Sequence, residues 1–194
     1  MGVREVGAPR RAVFLDRDGV LNEPCVRDGR PYPPLSVEEL IISEGATEAL
    51  HDLKKLGFVL IVVSNQPDVA RGTLPESRVR DFNAALRRRL PALDAVYVCI
   101  HDDKDACRCR KPLPGLLEQA SKDHAIALEE SYMVGDRWRD VDAGAAAGCR
   151  TILISRDYNE RPPAHTPTRV VRSIREAAQA IVRFEQNGAA EVRA

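Results

Sequence analysis

No sign of charge dominates this chain: 29 lysines and arginines stand against 29 aspartates and glutamates over 194 residues. A zero formal balance argues against a bulk nucleic-acid or anionic-membrane binder, so any recognition of anions must be local. Long hydrophobic runs are missing as well. No stretch approaches the roughly 20 apolar residues of a membrane span, and the small, basic, proline-containing start lacks the apolar core of a signal peptide. Cysteine is scarce and unevenly placed: Cys99, Cys107 and Cys109 cluster, while Cys25 and Cys149 stand apart. An odd count with a tight cluster argues against a disulfide frame and for a metal in a reducing compartment, which predicts a cytoplasmic protein. There is no internal repeat, no low-complexity segment and no gap large enough for a second domain. The expectation is a loose tail over 1–10 and a single domain over 11–194, monomeric, with no nucleic-acid or membrane partner.

What is present begins at 11–22, RAVFLDRDGVLN. Four apolar residues, Ala12 to Leu15, run into the turn Asp16-Arg17-Asp18-Gly19, as in a buried strand that delivers two carboxylates to its end. A proline-rich stretch over 23–37 reads as loop or short ribbon. Helical spacing over 46–56 stops at Gly57, and 58–63 is a second strand that leads into Ser64-Asn65. A helix over 75–90, a strand over 95–100, a helix over 113–124 and a short strand over 132–134 follow. A small-residue helix over 141–147, a strand over 151–154, a proline-rich loop and a last helix over about 174–184 complete the chain. Strands alternating with helices predict a doubly wound, Rossmann-like parallel sheet with flanking helices and no cap domain.

In such a sheet the carboxyl ends of the strands share one rim, where ligands bind. That rim would collect Asp16 and Asp18, Ser64 and Asn65, and Asp136, with Arg110-Lys111 arriving from the cysteine loop. Carboxylates, a hydroxyl and cations gathered there suit a divalent cation and a phosphate, since Mg²⁺ takes one or two carboxylates, waters and phosphate oxygens. Each polar residue alone could be a helix cap. Caps do not explain a basic pair delivered to the same edge. The loop 99–109 holds a second set. Cys99, His101, Cys107 and Cys109 offer four protein ligands suited to tetrahedral Zn²⁺, and Cys107 and Cys109 lie in a charged loop where burial does not account for them. A closed zinc site there would be structural, fixing the segment that presents Arg110 and Lys111.

The ordered set Asp16-Arg17-Asp18-Gly19-Val20, Ser64-Asn65-Gln66, Lys111 and Gly135-Asp136-Arg137-Trp138-Arg139-Asp140 resembles the four motifs of the haloacid-dehalogenase-like phosphohydrolases. The resemblance covers about 12–154. It implies that Asp16 is the nucleophile that becomes a phosphoaspartate and that Asp18 is the general acid and base, starting protonated. It further implies that Ser64 and Lys111 hold the transferring phosphoryl, and that Mg²⁺ sits on Asp16, the carbonyl of Asp18 and Asp136, steadied by Asp140. The zinc loop with its Arg-Lys-Pro exit, and the Arg inside the first motif, narrow the resemblance to the heptose-1,7-bisphosphate and histidinol-phosphate phosphatases. The run 65–72, NQPDVARG, looks like the heptose enzymes, although Pro67-Asp68 departs from their usual pattern. The short His101-to-Cys107 spacing is closer to the histidinol-phosphate type. By that analogy Asn65, Arg110 and Arg137 contact a small phosphorylated substrate, with the C7 phosphate of a heptose bisphosphate the leading expectation and histidinol phosphate the rival. A decayed, zinc-stabilised interaction module is the reading outside enzymology, and the intact Asp16, Asp18, Ser64, Lys111 and Asp136 argue against it.

Overall fold

The computed structural model describes residues 9–27, 30–32, 34 and 36–191. Its centre is a six-stranded sheet in which every neighbouring pair runs parallel. The strands are β1 (Ala12–Leu15), β4 (Val59–Asn65), β5 (Ala95–Cys99), β6 (Tyr132–Gly135), β7 (Arg150–Ile154) and β8 (Arg169–Val171), in the spatial order β5-β4-β1-β6-β7-β8. Between β1 and β4 the chain makes the antiparallel ribbon of β2 (Cys25–Arg27) and β3 (Arg30–Tyr32). Among the described residues α1 (Ala46–Lys55), α2 (Glu76–Arg89), α3 (Gly115–His124) and α4 (Trp138–Ala146) lie between strands, and α5 (Ile174–Glu191) follows the last one.

The apolar runs explain the layering. All four residues of β1 are fully buried, because parallel strands between two helix layers have no wet face. Their side chains still alternate. Val13 and Leu15 join Leu60, Val62, Tyr132 and Val134 in one core with α1, α2 and α5. Ala12 and Phe14 join Ile61, Val63 and Met133 in a second core with α3 and α4. From β1 the chain steps outward to β4 and β5, then returns to the other side of β1 for β6. The direction of winding therefore reverses beside β1, the place where open α/β sheets carry their ligand crevice.

Several boundaries differ from the sequence reading. β8, a three-residue edge strand, lies inside the segment expected to be only a proline-rich loop. It is too short to show a period and is recruited by pairing with β7. Helix α4 starts at Trp138 rather than 141, since the Asp140 carboxylate accepts the Arg137 N–H at 3.1 Å and caps the first turn. Helix α5 extends to Glu191, past 184. Of the expected tail, residues 1–8 lie outside the described residues. Arg10 is tied into the fold by backbone hydrogen bonds to Ala125 and Ala127, each 2.9 Å.

Candidate active site

Lys111 organises the rim. Its ammonium is 2% exposed and donates to Val63 O at 2.7 Å and Asp140 Oδ1 at 2.6 Å, and pairs with Asp16 Oδ1 at 2.9 Å. Three N–H donors thus find three acceptors. The backbone of Lys111 is held as firmly: its N–H donates to Asn65 Oδ1 at 3.1 Å, and Asn65 Nδ2 donates to its carbonyl at 3.0 Å. Asn65, expected to contact substrate, lines the cavity but has both ends of its amide on this lysine. The ends of β4 and of the cysteine loop are joined through it.

Asp16, Asp136 and Asp140 bring carboxylate oxygens within 4.8 Å of one another, all buried, with Lys111 as the ammonium paired to two of them. Burial pushes the Asp16 carboxyl up to about 6, against the pull of Lys111. Burial and the neighbouring Asp16 and Asp140 push Asp136 well above the ordinary carboxyl range. One oxygen of Asp136, Oδ2, accepts the Tyr158 hydroxyl at 2.7 Å, while the buried Oδ1 has no partner. A buried carboxylate oxygen without a donor, inside a surplus of negative charge, is the environment a hard divalent cation completes. The donor set therefore fits Mg²⁺. Two glycines make room for it. A Cβ on Gly19 (φ +88°) would lie 1.8 Å from Asp136 Oδ2, and one on Gly135 would lie 2.1 Å from Asp140 Cβ.

Asp18 does not match the expectation of a protonated acid. Burial raises its pKa, but the Arg17 guanidinium, with hydrogen bonds from Arg17, Asn22 and Gln66, outweighs that and leaves it below the usual value. Arg17 Nη2 donates at 2.8 Å, Asn22 Nδ2 at 3.0 Å and Gln66 Nε2 at 3.0 Å. Gln66 also donates to Ser64 Oγ at 2.9 Å, linking the acid to the hydroxyl.

Above these groups lies a cavity of about 280 Å³, into which Asp16, Asp18, Ser64, Asn65, Arg110, Lys111, Arg137 and Asp140 all face. Four arginines line it, and each is held by a carboxylate. Arg110 Nε donates to Asp103 at 2.8 Å, Arg139 reaches the same oxygen at 3.3 Å, Arg71 grips Asp102, and Arg137 pairs with Glu160. The Arg71 hydrogen bond pulls Asp102 down to about 2. Trp138 packs under Arg161, whose guanidinium sits 3.5 Å from the ring centroid.

The cysteine loop closes as expected of its residue types. Cys99, His101, Cys107 and Cys109 place their ligand atoms within 4.8 Å of each other, with Sγ···Sγ separations of 3.3, 3.5 and 3.7 Å and His101 Nδ1 3.3 Å from Cys109 Sγ. A tetrahedral Zn²⁺ with metal–sulfur bonds of about 2.3 Å has edges of roughly 3.8 Å, so this donor set fits zinc.

Sequence reasoning gave no role to Arg17, Gln66, Arg71, Arg139, Tyr158 or Glu160. Arg17 and Gln66 stood inside quoted motifs, and their burial at 1% and 2% is the signal that marks them. Tyr158 and Glu160 come from a loop whose composition carries no such signal.

A HAD-hydrolase-like family model matches residues 108–177. The chain is 35% identical over 156 residues to D-glycero-beta-D-manno-heptose-1,7-bisphosphate 7-phosphatase of Yersinia pestis, covering 75% of the chain and 80% of the relative. It is 36% identical over 149 residues to the enzyme of the same name from Helicobacter pylori, covering 74% and 83%. In structure it is similar to D,D-heptose 1,7-bisphosphate phosphatase from B. bronchiseptica, crystallised with magnesium and phosphate, at a TM-score of 0.76 and 28% identity over 90% of the chain and 99% of that protein. With the motif residues assembled on one rim, these likenesses settle its class: the chain belongs to the haloacid-dehalogenase-like phosphatases, in the family of the D-glycero-beta-D-manno-heptose-1,7-bisphosphate 7-phosphatases, and is a phosphoric monoester hydrolase.

Proposed function

We propose that the protein removes the C7 phosphate of D-glycero-D-manno-heptose 1,7-bisphosphate through a phosphoaspartate on Asp16. The observation that carries this is Lys111, whose ammonium binds Asp16 and Asp140 at the floor of an arginine-lined cavity, in a chain whose relatives bear that enzyme's name. An Asp16 oxygen forms the new P–O bond while the ester P–O bond to the sugar breaks. The leaving oxygen takes its proton from Asp18, which then accepts one from the water that cleaves the phosphoaspartate. Arg17, Asn22 and Gln66 favour the carboxylate form of Asp18 before substrate arrives, so uptake of a proton with the phosphorylated substrate would supply the one it donates. The same contacts suit it for the second half-reaction, where a base is needed. Lys111 and Ser64 neutralise and orient the transferring phosphoryl, and Arg110 and Arg137 supply charge for the remainder of the substrate.

Mg²⁺, held by Asp16, Asp136 and the Asp18 carbonyl and steadied by Asp140, would supply further neutralisation of the phosphoryl oxygens. Zn²⁺ on Cys99, His101, Cys107 and Cys109 would fix the loop that ends in Arg110 and Lys111. Unpaired thiols at the described cysteines suit the reducing cytoplasm. No helix among the described residues is long and apolar enough to cross a membrane. A panel of phosphorylated substrates assayed with Mg²⁺ tests the reading. Preferred turnover of the heptose bisphosphate is expected, and equal or better turnover of histidinol phosphate would overturn it.

A further inference from the structure

The segment after β7 does more than connect strands. Arg156 Nη2 donates to the Gly19 carbonyl at 3.0 Å and pairs with Glu23 at 3.6 Å, so it grips the turn that carries Asp16 and Asp18. Two residues on, the Tyr158 hydroxyl donates to Asp136 Oδ2 at 2.7 Å. The strap is tight in itself, with Tyr158 N–H on Arg156 O at 2.8 Å and Glu160 N–H on Tyr158 O at 2.9 Å. A Cβ on Gly19 would stand 1.8 Å from Asp136 Oδ2 and 3.1 Å from the Tyr158 oxygen, so turn, carboxylate and phenol meet with no space between them. The two oxygens of Asp136 therefore differ. Oδ2 is held by a phenol from a remote loop, and Oδ1 is buried without any donor.

A carboxylate on a β-strand end can rotate, and one fixed oxygen removes that freedom while leaving the other open. Metal ligands are commonly oriented by such outer hydrogen bonds. We propose that Tyr158, carried by the strap 156–158, is a positioning residue for the divalent cation: it holds Asp136 so that Oδ1 stays available as a ligand. This rests on the reading of Asp136 as a Mg²⁺ ligand.

Calorimetric titration of Mg²⁺ into the protein, dialysed free of Mg²⁺, tests it. Tyr158→Phe is expected to weaken Mg²⁺ binding about 10–100-fold, the usual effect of losing an outer-shell partner. Its unfolding temperature without Mg²⁺ should stay unchanged, kcat should recover at saturating Mg²⁺, and substrate KM measured there should not move. An unchanged Mg²⁺ affinity would overturn the proposal. So would a weakening matched by a lower unfolding temperature without Mg²⁺, which marks a purely structural phenol. If Tyr158→Phe does not fold, Arg156→Gln decides: a smaller weakening in the same direction supports the strap, and wild-type affinity overturns it. A wild-type chain that binds no Mg²⁺ would instead bring down the reading of Asp136, and the proposal with it.

Discussion

The two ends of the central sheet both carry clustered charge, and they handle it in opposite ways. At the amino ends of the strands, Glu185 of α5 is met by Arg11 and by the Tyr132 hydroxyl at 2.8 Å, and Arg150 donates to that hydroxyl at 3.0 Å. Arg11 also lies over the Phe58 ring, and Tyr132 stacks on Phe184. Both carboxylate oxygens have donors, and Arg11 is 34% exposed in its side chain. At the carboxyl ends, three buried acids crowd around one lysine and Asp136 Oδ1 has no donor. A network that only fastens a helix closes on itself. One left short of positive charge holds unfavourable energy that a bound cation relieves, which is how buried groups at functional sites differ from those in a framework.

The largest way to sharpen that contrast is Asp16→Asn. Loss of the nucleophile should lower Mg²⁺-dependent phosphate release by roughly 10³-fold or more, with little effect on folding. Undiminished release would remove Asp16 from the chemistry. Next in size is the cysteine loop. The purified protein should retain about one equivalent of zinc by elemental analysis, and Cys107→Ser or Cys109→Ser should lose it together with most activity, because the loop that presents Arg110 and Lys111 then loses one of its supports. A metal-free protein that remained folded and active would refute this.

Stability against pH examines the charge surplus itself. Asp16 is raised to about 6 and Asp136 is also raised well above the unfolded 3.8, so above about pH 4 the native state binds more protons than the unfolded one. Stability of the Mg²⁺-free protein should then fall as pH rises from about 4 to 6. Saturating Mg²⁺ should flatten that fall, as read by unfolding temperature in EDTA and in Mg²⁺. The smallest effect is expected at the opposite end. Glu185→Gln should cost about 1 kcal/mol, since its charged partner Arg11 is partly solvated, and should leave activity intact. A large loss of activity there would break the division between the two ends.

Much of the rim was legible from local pattern. The run Ala12 to Leu15 and the run Val59 to Val63 read as buried strands because every residue is apolar, and each is buried. Asp16 and Asp136 follow from motifs at strand ends, which a parallel sheet places on one rim, and Lys111 follows from the exit of the cysteine loop. Asp18 lines the cavity, but its contacts with Arg17, Asn22 and Gln66, which lower its pKa, were not legible, because they depend on the orientation of Arg17 and on Gln66, 48 residues away. Asn65 was read as facing substrate, and its amide is bound to a backbone 46 residues on. β8 was invisible at three residues.

By itself, then, the sequence determined the main strands and helices though not β8, which residue types gather at the carboxyl rim and which four side chains make the cysteine loop. Each of those depends on short-range periodicity and on spacing along the chain. Only the tertiary structure decided the hydrogen bonds around Asp18, the three-way grip on Lys111 and the contact of Tyr158 with Asp136. Those depend on burial and on distances of a few ångströms between residues far apart in the chain, where a change of angle turns a partner into a bystander.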